Sequence, residues 1–391
     1  IELKRLAKEL LGETSEELRM KNEELRSANS SENLGNSTTL NSSLLTLNSY
    51  PHEYRLIKTE AEAQELLAEL MKADRIAFDT ETAAVEGHES TEPHFCKMVG
   101  FSFAIAPGKA WYVIADLIDV FRPLFADPSK TFVGHNVKFD RTVLHRYGIG
   151  FASVPRDTML EHYCIDAAAR HGMDALAEQY LGYRPIPITA LIGEKERGKE
   201  QLSMAALKPE EILDYAAEDA DVTLRLDDAL RPLAPKAIEN EEKLVKILIE
   251  MEREGIRVDT AALKEYGLQL DREILRHLQA ILAYAEPGFN CDSPKQLGEL
   301  LFDKLGLPGG KKTAKGQWAT DEKTISKLAA AHPVVNEILE YRACAKLKST
   351  YVDKLPTLID ADSRVHTTFK QHATETGRLS SEDPNLQNIP V

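Results

Sequence analysis

The pair of β-type runs MVGFSFAIA and KAWYVIA, with APG at their junction, most constrains what this chain can fold into. Two such runs joined across a glycine-bearing turn predict an antiparallel hairpin. RIAFDT before them and TFVGH after them are further short strands. Helical periodicity takes over in VKFDRTVLHRYG, DTMLEHYCIDAAA, MDALAEQYLG and PEEILDYAAEDADVTLRLDDAL. Strands first and then mostly helices, with one hairpin among them, predict a mixed α/β sheet with flanking helices. They do not predict a doubly wound parallel one.

The 391 residues exceed one ordinary core, so two or three domains are expected. Residues 1–26 predict a helix, and Ser27 to Tyr50, rich in Ser, Asn and Thr, predict a linker, so 1–50 is assigned as a connector. The α/β domain is assigned to 51–240. From 241 to 391 longer helices dominate: EEKLVKILIEMEREG ends at Gly255, a helix restarts from an Asp259 cap, and Ser293 and Pro294 open another. An Ile at position 1 and the lack of a signal-peptide pattern point to a fragment.

No apolar run approaches the ~20 residues needed to span a bilayer, so no membrane role is expected. Four dispersed cysteines predict a reducing compartment and neither a zinc site nor a disulfide framework. The net charge of −15 sits awkwardly with a nucleic-acid partner unless some acids hold cations that meet the phosphates instead.

Position singles out those acids. Asp79 and Glu81 in RIAFDTET lie two apart on a strand, on one face and roughly 6.5–7 Å apart along it. Tyr215 and Asp219 in DYAAEDAD share a helix face about 6 Å apart along the axis. Asp140 in GHNVKFD opens a third segment. Carboxylate oxygens suit hard divalent cations. Two such ions about 3.5–4 Å apart suit phosphodiester hydrolysis, serving both the attacking and the leaving oxygen. A tyrosine beside the attacking water would orient it. Each fragment alone is compatible with solvated surface acids; together, in order and on the right elements, they predict a metal-dependent nuclease.

FDTET, GHNVKFDRTVL and YAAEDADVTLRL resemble the three exonuclease motifs of the proofreading 3′–5′ exonuclease domain in bacterial family A DNA polymerases. The resemblance implies a ribonuclease H-like fold and two Mg2+ or Mn2+ ions. It implies that Asp79 bridges both ions, Glu81 and Asp219 complete the nucleophile-side site, and Asp140 serves the second. It casts Tyr215 as the water-orienting group, and it places Thr82, His135, Asn136, Arg170 and His171 near the substrate. Two positions depart from the family. Val85 stands where a wedging Leu is usual, and PIPITALIG offers Ile188 and Thr189 where relatives carry an aromatic on the terminal base.

The segments EMEREGIRVDT, FNCDSPKQLGELLFDKLGLP, ILEYRACAKLKSTYVDKLP and TGRLSSEDPNLQNIPV resemble the thumb and the start of the palm of the same family. Arg378, Ser380, Ser381, Asn385, Gln387 and Asn388 are suited to duplex sugars, phosphates and minor-groove edges. Arg342, Lys346 and Lys348, with Lys311, Lys312 and Lys315 of a glycine-bearing loop, are expected along a phosphate backbone. The implied partners are a single-stranded DNA 3′ end and a primer–template duplex, bound by a monomer in the bacterial cytoplasm at the nucleoid. The family's palm aspartates do not occur before Val391, so DNA synthesis by this fragment is not expected. A catalytically silent module that braces a polymerase and binds DNA is the alternative; four retained acids and the tyrosine weigh against it. An RNA-trimming exonuclease is a third reading, disfavoured by the polymerase-like segment.

Overall fold

The computed structural model describes residues 51–194, 201–314 and 316–389. The helix expected over 1–26, the linker to Tyr50 and Lys315 lie outside the described residues. Two compact units emerge. The first runs to Arg253 and also includes Phe369–Ser380; the second comprises Glu254–Thr368 and the residues from Ser381 on.

The first unit is built on a six-stranded mixed sheet. Its strands are β1 (Glu53–Ile57), β2 (Arg75–Ala83), β3 (Lys97–Ala106), β4 (Lys109–Ile114), β5 (Thr131–Gly134) and β6 (Arg156–Asp157), in the order β1-β4-β3-β2-β5-β6. β3 and β4 form the expected antiparallel hairpin, with Gly108 at φ 75° in its turn. β2 pairs antiparallel with β3 and parallel with β5.

Residue size decides what covers each face. Ile76, Phe78, Phe101, Phe103, Trp111 and Phe132 point to one side. There they meet Leu66 and Leu70 of α1 (Glu60–Leu70), Phe121, Phe125, and Val143 of α2 (Val137–Arg146). The opposite face carries small residues. Ala110, Ala104, Ala77 and Val133 stand side by side across four strands. Ala217, Ala220 and Leu224 of the long helix α4 (Pro209–Leu230) pack on them. Small facing small lets the helix axis approach the sheet closely, which brings side chains from both into one plane. Asp227 of α4, wholly buried, pairs with Arg75 at 2.6 Å and Arg156 at 3.1 Å, fixing the helix against β2 and β6.

Helix α3 (Thr158–Ile165) is shorter than its periodicity suggested. Asp157 caps it through the Met159 and Leu160 amides, and the chain leaves helical geometry at Asp166. Helix α5 (Ile238–Glu254) carries Glu252, whose carboxylate is 1% exposed; it meets the Lys138 ammonium and accepts the Phe369 N–H at 2.6 Å.

In the second unit, α6 (Thr260–Leu282) starts from the Asp259 cap and runs beside α7 (Pro333–Leu347). Ile281, Leu297, Leu301, Ile325, Val334 and Ile338 form its core. Ser293 and Pro294 open a helix as their spacing predicted. A short antiparallel ribbon pairs Ile256 with Val365. Gly255, at φ 63°, is indispensable there, because a Cβ would come within 2.8 Å of the Val365 carbonyl.

Candidate functional site

The sheet register assembles the site. Next to the alanine row, the row on the same face reads Tyr112, Ser102, Asp79, and the following one Ile114, Gly100, Glu81. Asp79 and Glu81 thus rise from β2 beneath α4, which delivers Tyr215 and Asp219 one turn apart. Ligand oxygens of Asp79, Glu81 and Asp219 all lie within 4.8 Å of one another. The strand pairing slips by one residue between Glu81 and Thr82. A bulge of this kind re-aims side chains beside an active centre.

Asp140, in the first turn of α2, is not one of the three acids whose oxygens converge, although the Asp79 charge acts on it. Its Oδ1 accepts the Thr80 amide at 3.0 Å and the Thr80 hydroxyl at 2.6 Å. Thr80 alternates with Asp79 and Glu81 along β2, so its side chain lies on the other face of the strand. Sequence reasoning passed over Thr80; its only signal was its place between two candidate acids.

Carboxyl groups this close repel one another, and Asp140 adds its charge to theirs. Burial pushes Asp79 up to about 7. Burial, reinforced by the Asp79 charge, holds Glu81, Asp140 and Asp219 well above the carboxylate range. The Tyr215 phenol is raised by burial and by Asp219, Glu81 and Asp79, so it stays a neutral donor. Among the described residues no lysine or arginine forms an ion pair with Asp79, Glu81 or Asp219, and Glu81 Oε1 is buried without a hydrogen-bond partner. An all-oxygen donor set lacking a protein cation fits a divalent ion, and Asp79, Glu81 and Asp219 are the residues that could hold it.

The remaining candidates divide by location. Asn136 starts α2 in the left-handed region at φ 63°. Its amide and that of Val137 donate to Asp157 at 3.0 and 2.9 Å, a carboxyl that burial raises to about 6. Asp157 was missed as a support residue, although its N-cap position before TMLEH was legible. His135 contacts the Thr158 hydroxyl at 2.9 Å, and burial lowers it to about 3. His171 is within 2.9 Å of His162, ring nitrogen to ring nitrogen, while Arg170 is exposed. The Thr82 hydroxyl donates to the Ser90 carbonyl at 2.9 Å. Val85 and Ile188 are exposed apolar side chains, and Thr189 opens a single helical turn.

Arg378 is exposed on the Phe369–Ser380 segment of the first unit. In the second unit Lys346 is exposed, whereas Lys348 is held by Asp353 at 2.8 Å and Asp271 at 3.6 Å. Arg342 donates to the Thr320 carbonyl. Lys312 lies over the Trp318 ring at 4.9 Å, so the basic loop is packed on an aromatic; Lys311 is exposed. Asn385 accepts the Gln387 and Asn388 amides, Gln387 accepts the Ser381 amide, and the Asn388 carbonyl accepts the Tyr351 hydroxyl, so these side chains shape their own turn.

Residues 54–234 match the 3′–5′ exonuclease family, and residues 260–391 match DNA polymerase family A. The chain carries domains of these two families. DNA polymerase I of Pseudomonas aeruginosa is 39% identical over 365 residues, covering 87% of this chain and 39% of that protein. DNA polymerase I of Rhizobium leguminosarum is 38% identical, covering 83% of this chain and 35% of the relative. The chain therefore spans about two fifths of the length of these curated relatives. The POL domain of Pol1 from M. smegmatis, in complex with DNA primer-template and dNTP, superposes with a TM-score of 0.69. It is 26% identical and covers 86% of this chain and 56% of its own. The mixed sheet with flanking helices and the helical second unit agree with the exonuclease and polymerase segments of these families. No helix among the described residues is long and apolar enough to cross a membrane.

Proposed function

We propose that this chain is a 3′–5′ DNA exonuclease that removes mononucleotides from 3′ ends with two divalent ions, within a protein whose polymerase function lies in further sequence. One observation carries the reading: Asp79, Glu81 and Asp219 converge within 4.8 Å with no ion-paired lysine or arginine among the described residues.

Bound divalent ions would supply an activated water and would neutralise charge on the phosphate and the leaving oxygen. The chain's own residues do the rest. Asp79, Glu81, Asp140 and Asp219 hold the ions in place. Thr80 fixes the Asp140 carboxylate through its Oδ1. The neutral Tyr215 hydroxyl, one turn from Asp219, donates or accepts a hydrogen bond at the attacking water without taking its proton. His135, kept neutral by burial, adds a polar wall without adding charge. Arg170, exposed near His171, is suited to a backbone phosphate. Mg2+ or Mn2+ satisfies the donor set, and a monomer suffices because every proposed ligand comes from one chain.

Digestion of a 5′-labelled single-stranded DNA oligonucleotide in Mg2+ or Mn2+ is the test. The expected result is a descending ladder of products, lost with chelator and reduced at least a hundredfold by Asp140→Ala or Asp219→Ala. Undiminished digestion by either variant would sink the metal assignment. A matched RNA oligomer, cut more slowly, separates DNA from RNA preference.

A further inference from the structure

The two hydroxyls that share a face with Asp79 and Glu81 have no assigned task. Tyr112 and Ser102 are both fully buried, and neither Tyr112 Oη nor Ser102 Oγ has a hydrogen-bond partner among the described residues. Buried hydroxyls are nearly always paired, and where one is not, the exception calls for a cause. Phenylalanine and alanine would fill the same space without an unpaired polar atom.

Geometry supplies the cause. Ser102 sits directly across from Asp79 in the ladder, and Gly100 sits directly across from Glu81. Gly100 offers no side chain, and the Tyr112 ring occupies the vacant place. Its Oη lies 2.4 Å, and its Cζ 2.5 Å, from where a Cβ on Gly100 would stand. Directly opposed Cβ atoms in an antiparallel pair are about 5 Å apart. The Tyr112 hydroxyl therefore occupies the cross-strand neighbour position of Glu81, within reach of its carboxylate directly or through one water. The Oε1 of that carboxylate is itself buried and unpartnered. The Glu81 charge, after burial, is the second influence that raises the Tyr112 phenol, so the group remains a donor. Hydrophobic neighbours Ala83, Met204, Ile212 and Ala216 hold the ring in place.

We propose that Tyr112, leaning over Gly100, and Ser102, opposite Asp79, are positioning residues that orient the Glu81 and Asp79 carboxylates for divalent-cation binding. They act through the ligands and do not touch substrate. Outer hydrogen bonds of this kind fix which oxygen of a carboxylate faces the ion. This inference rests on the cation-binding reading of the carboxylate cluster.

Mn2+ binding to the full chain without nucleic acid, followed by electron paramagnetic resonance, tests it independently of turnover. Asp219→Asn identifies the share of binding that belongs to this cluster. Tyr112→Phe is expected to weaken that share by about 10- to 100-fold while the unfolding midpoint of the metal-free protein stays level or rises. Ser102→Ala should shift affinity in the same direction. Gly100→Ala should reproduce the loss by driving the ring away. In the digestion assay the Mg2+ concentration for half-maximal rate should rise in Tyr112→Phe, with the rate restored at high Mg2+. Wild-type Mn2+ affinity in both Tyr112→Phe and Ser102→Ala would overturn the proposal while leaving the nuclease reading intact. Identical Mn2+ binding by wild type and Asp219→Asn would overturn both.

Discussion

Cation binding at the carboxylate cluster should be coupled to proton release, with a size set by the burial of Asp79. Its carboxyl is pushed from 3.8 to about 7, and Glu81, Asp140 and Asp219 are raised in the same direction. A carboxyl raised by folding holds its proton longer in the folded than in the unfolded chain. In the metal-free protein it therefore contributes stability that is fully present below about pH 4 and lost as pH rises through about 7. Cations select the deprotonated form, so their affinity moves the other way and grows with pH. If one proton leaves per ion, affinity should rise about tenfold per pH unit below 7 and level off above it. At pH 7 Asp79 alone should release about 0.5 proton, and its neighbours add to this. Calorimetric titration of Mn2+ in two buffers of different ionisation enthalpy measures the number. Thermal melts at pH 6 and pH 8 measure the linked stability, and the Mn2+-induced rise in midpoint should be the larger at pH 8. Asp79→Asn should lower the proton count. Equal Mn2+ affinity across pH 5.5 to 8, with no buffer-dependent heat, would refute the idea that burial keeps this cluster protonated.

Two further outcomes test the scaffold. Lys138→Met removes a cation that meets the buried Glu252 carboxylate and should cost about 3–5 kcal/mol in urea unfolding of the first unit. Adding Glu252→Gln, which still accepts the Phe369 N–H, should recover most of that loss; no recovery would mean the charge is not the cause. Phe78→Ala empties the centre of an aromatic cluster with ring centroids 5.2–6.2 Å apart. It should cost about 3–5 kcal/mol, while Asp79 next to it keeps its place in the register.

The parts of this molecule that were legible in the sequence are those governed by short-range patterns. The β3–β4 hairpin followed from two β-type runs around Pro107 and Gly108, and the α6 start followed from Asp259. Helices ran shorter than their periodicity where a neighbour ended them, as at Asp166 after α3. The candidate acids were visible because strand and helix spacing put Asp79 with Glu81 and Tyr215 with Asp219. Thr80, Ser102 and Tyr112 were not, nor was the bond that Asp157 makes beyond its own helix. Their importance comes from cross-strand register and from side chains that touch 20 to 60 residues away, which spacing along one segment does not reveal. Three of the 63 acids, Asp79, Glu81 and Asp219, converge within 4.8 Å, and the net −15 says nothing about them. Lys348 teaches the converse. Its basic neighbourhood suggested a phosphate contact, yet two aspartates already hold it.

The first unit takes its last twelve residues, Phe369–Ser380, from beyond the whole of Glu254–Thr368. Those residues close it: the Phe369 amide meets Glu252, Gln371 donates to the Glu241 carbonyl and carboxylate, and the Tyr163 hydroxyl donates to the Thr374 carbonyl. During synthesis, the sheet and its helices leave the ribosome more than a hundred residues before this closing strip does. Until then Glu252 and Tyr163 lack those partners. The first unit thus reaches its finished form only after the intervening segment has been made, which orders the birth of the two units in time.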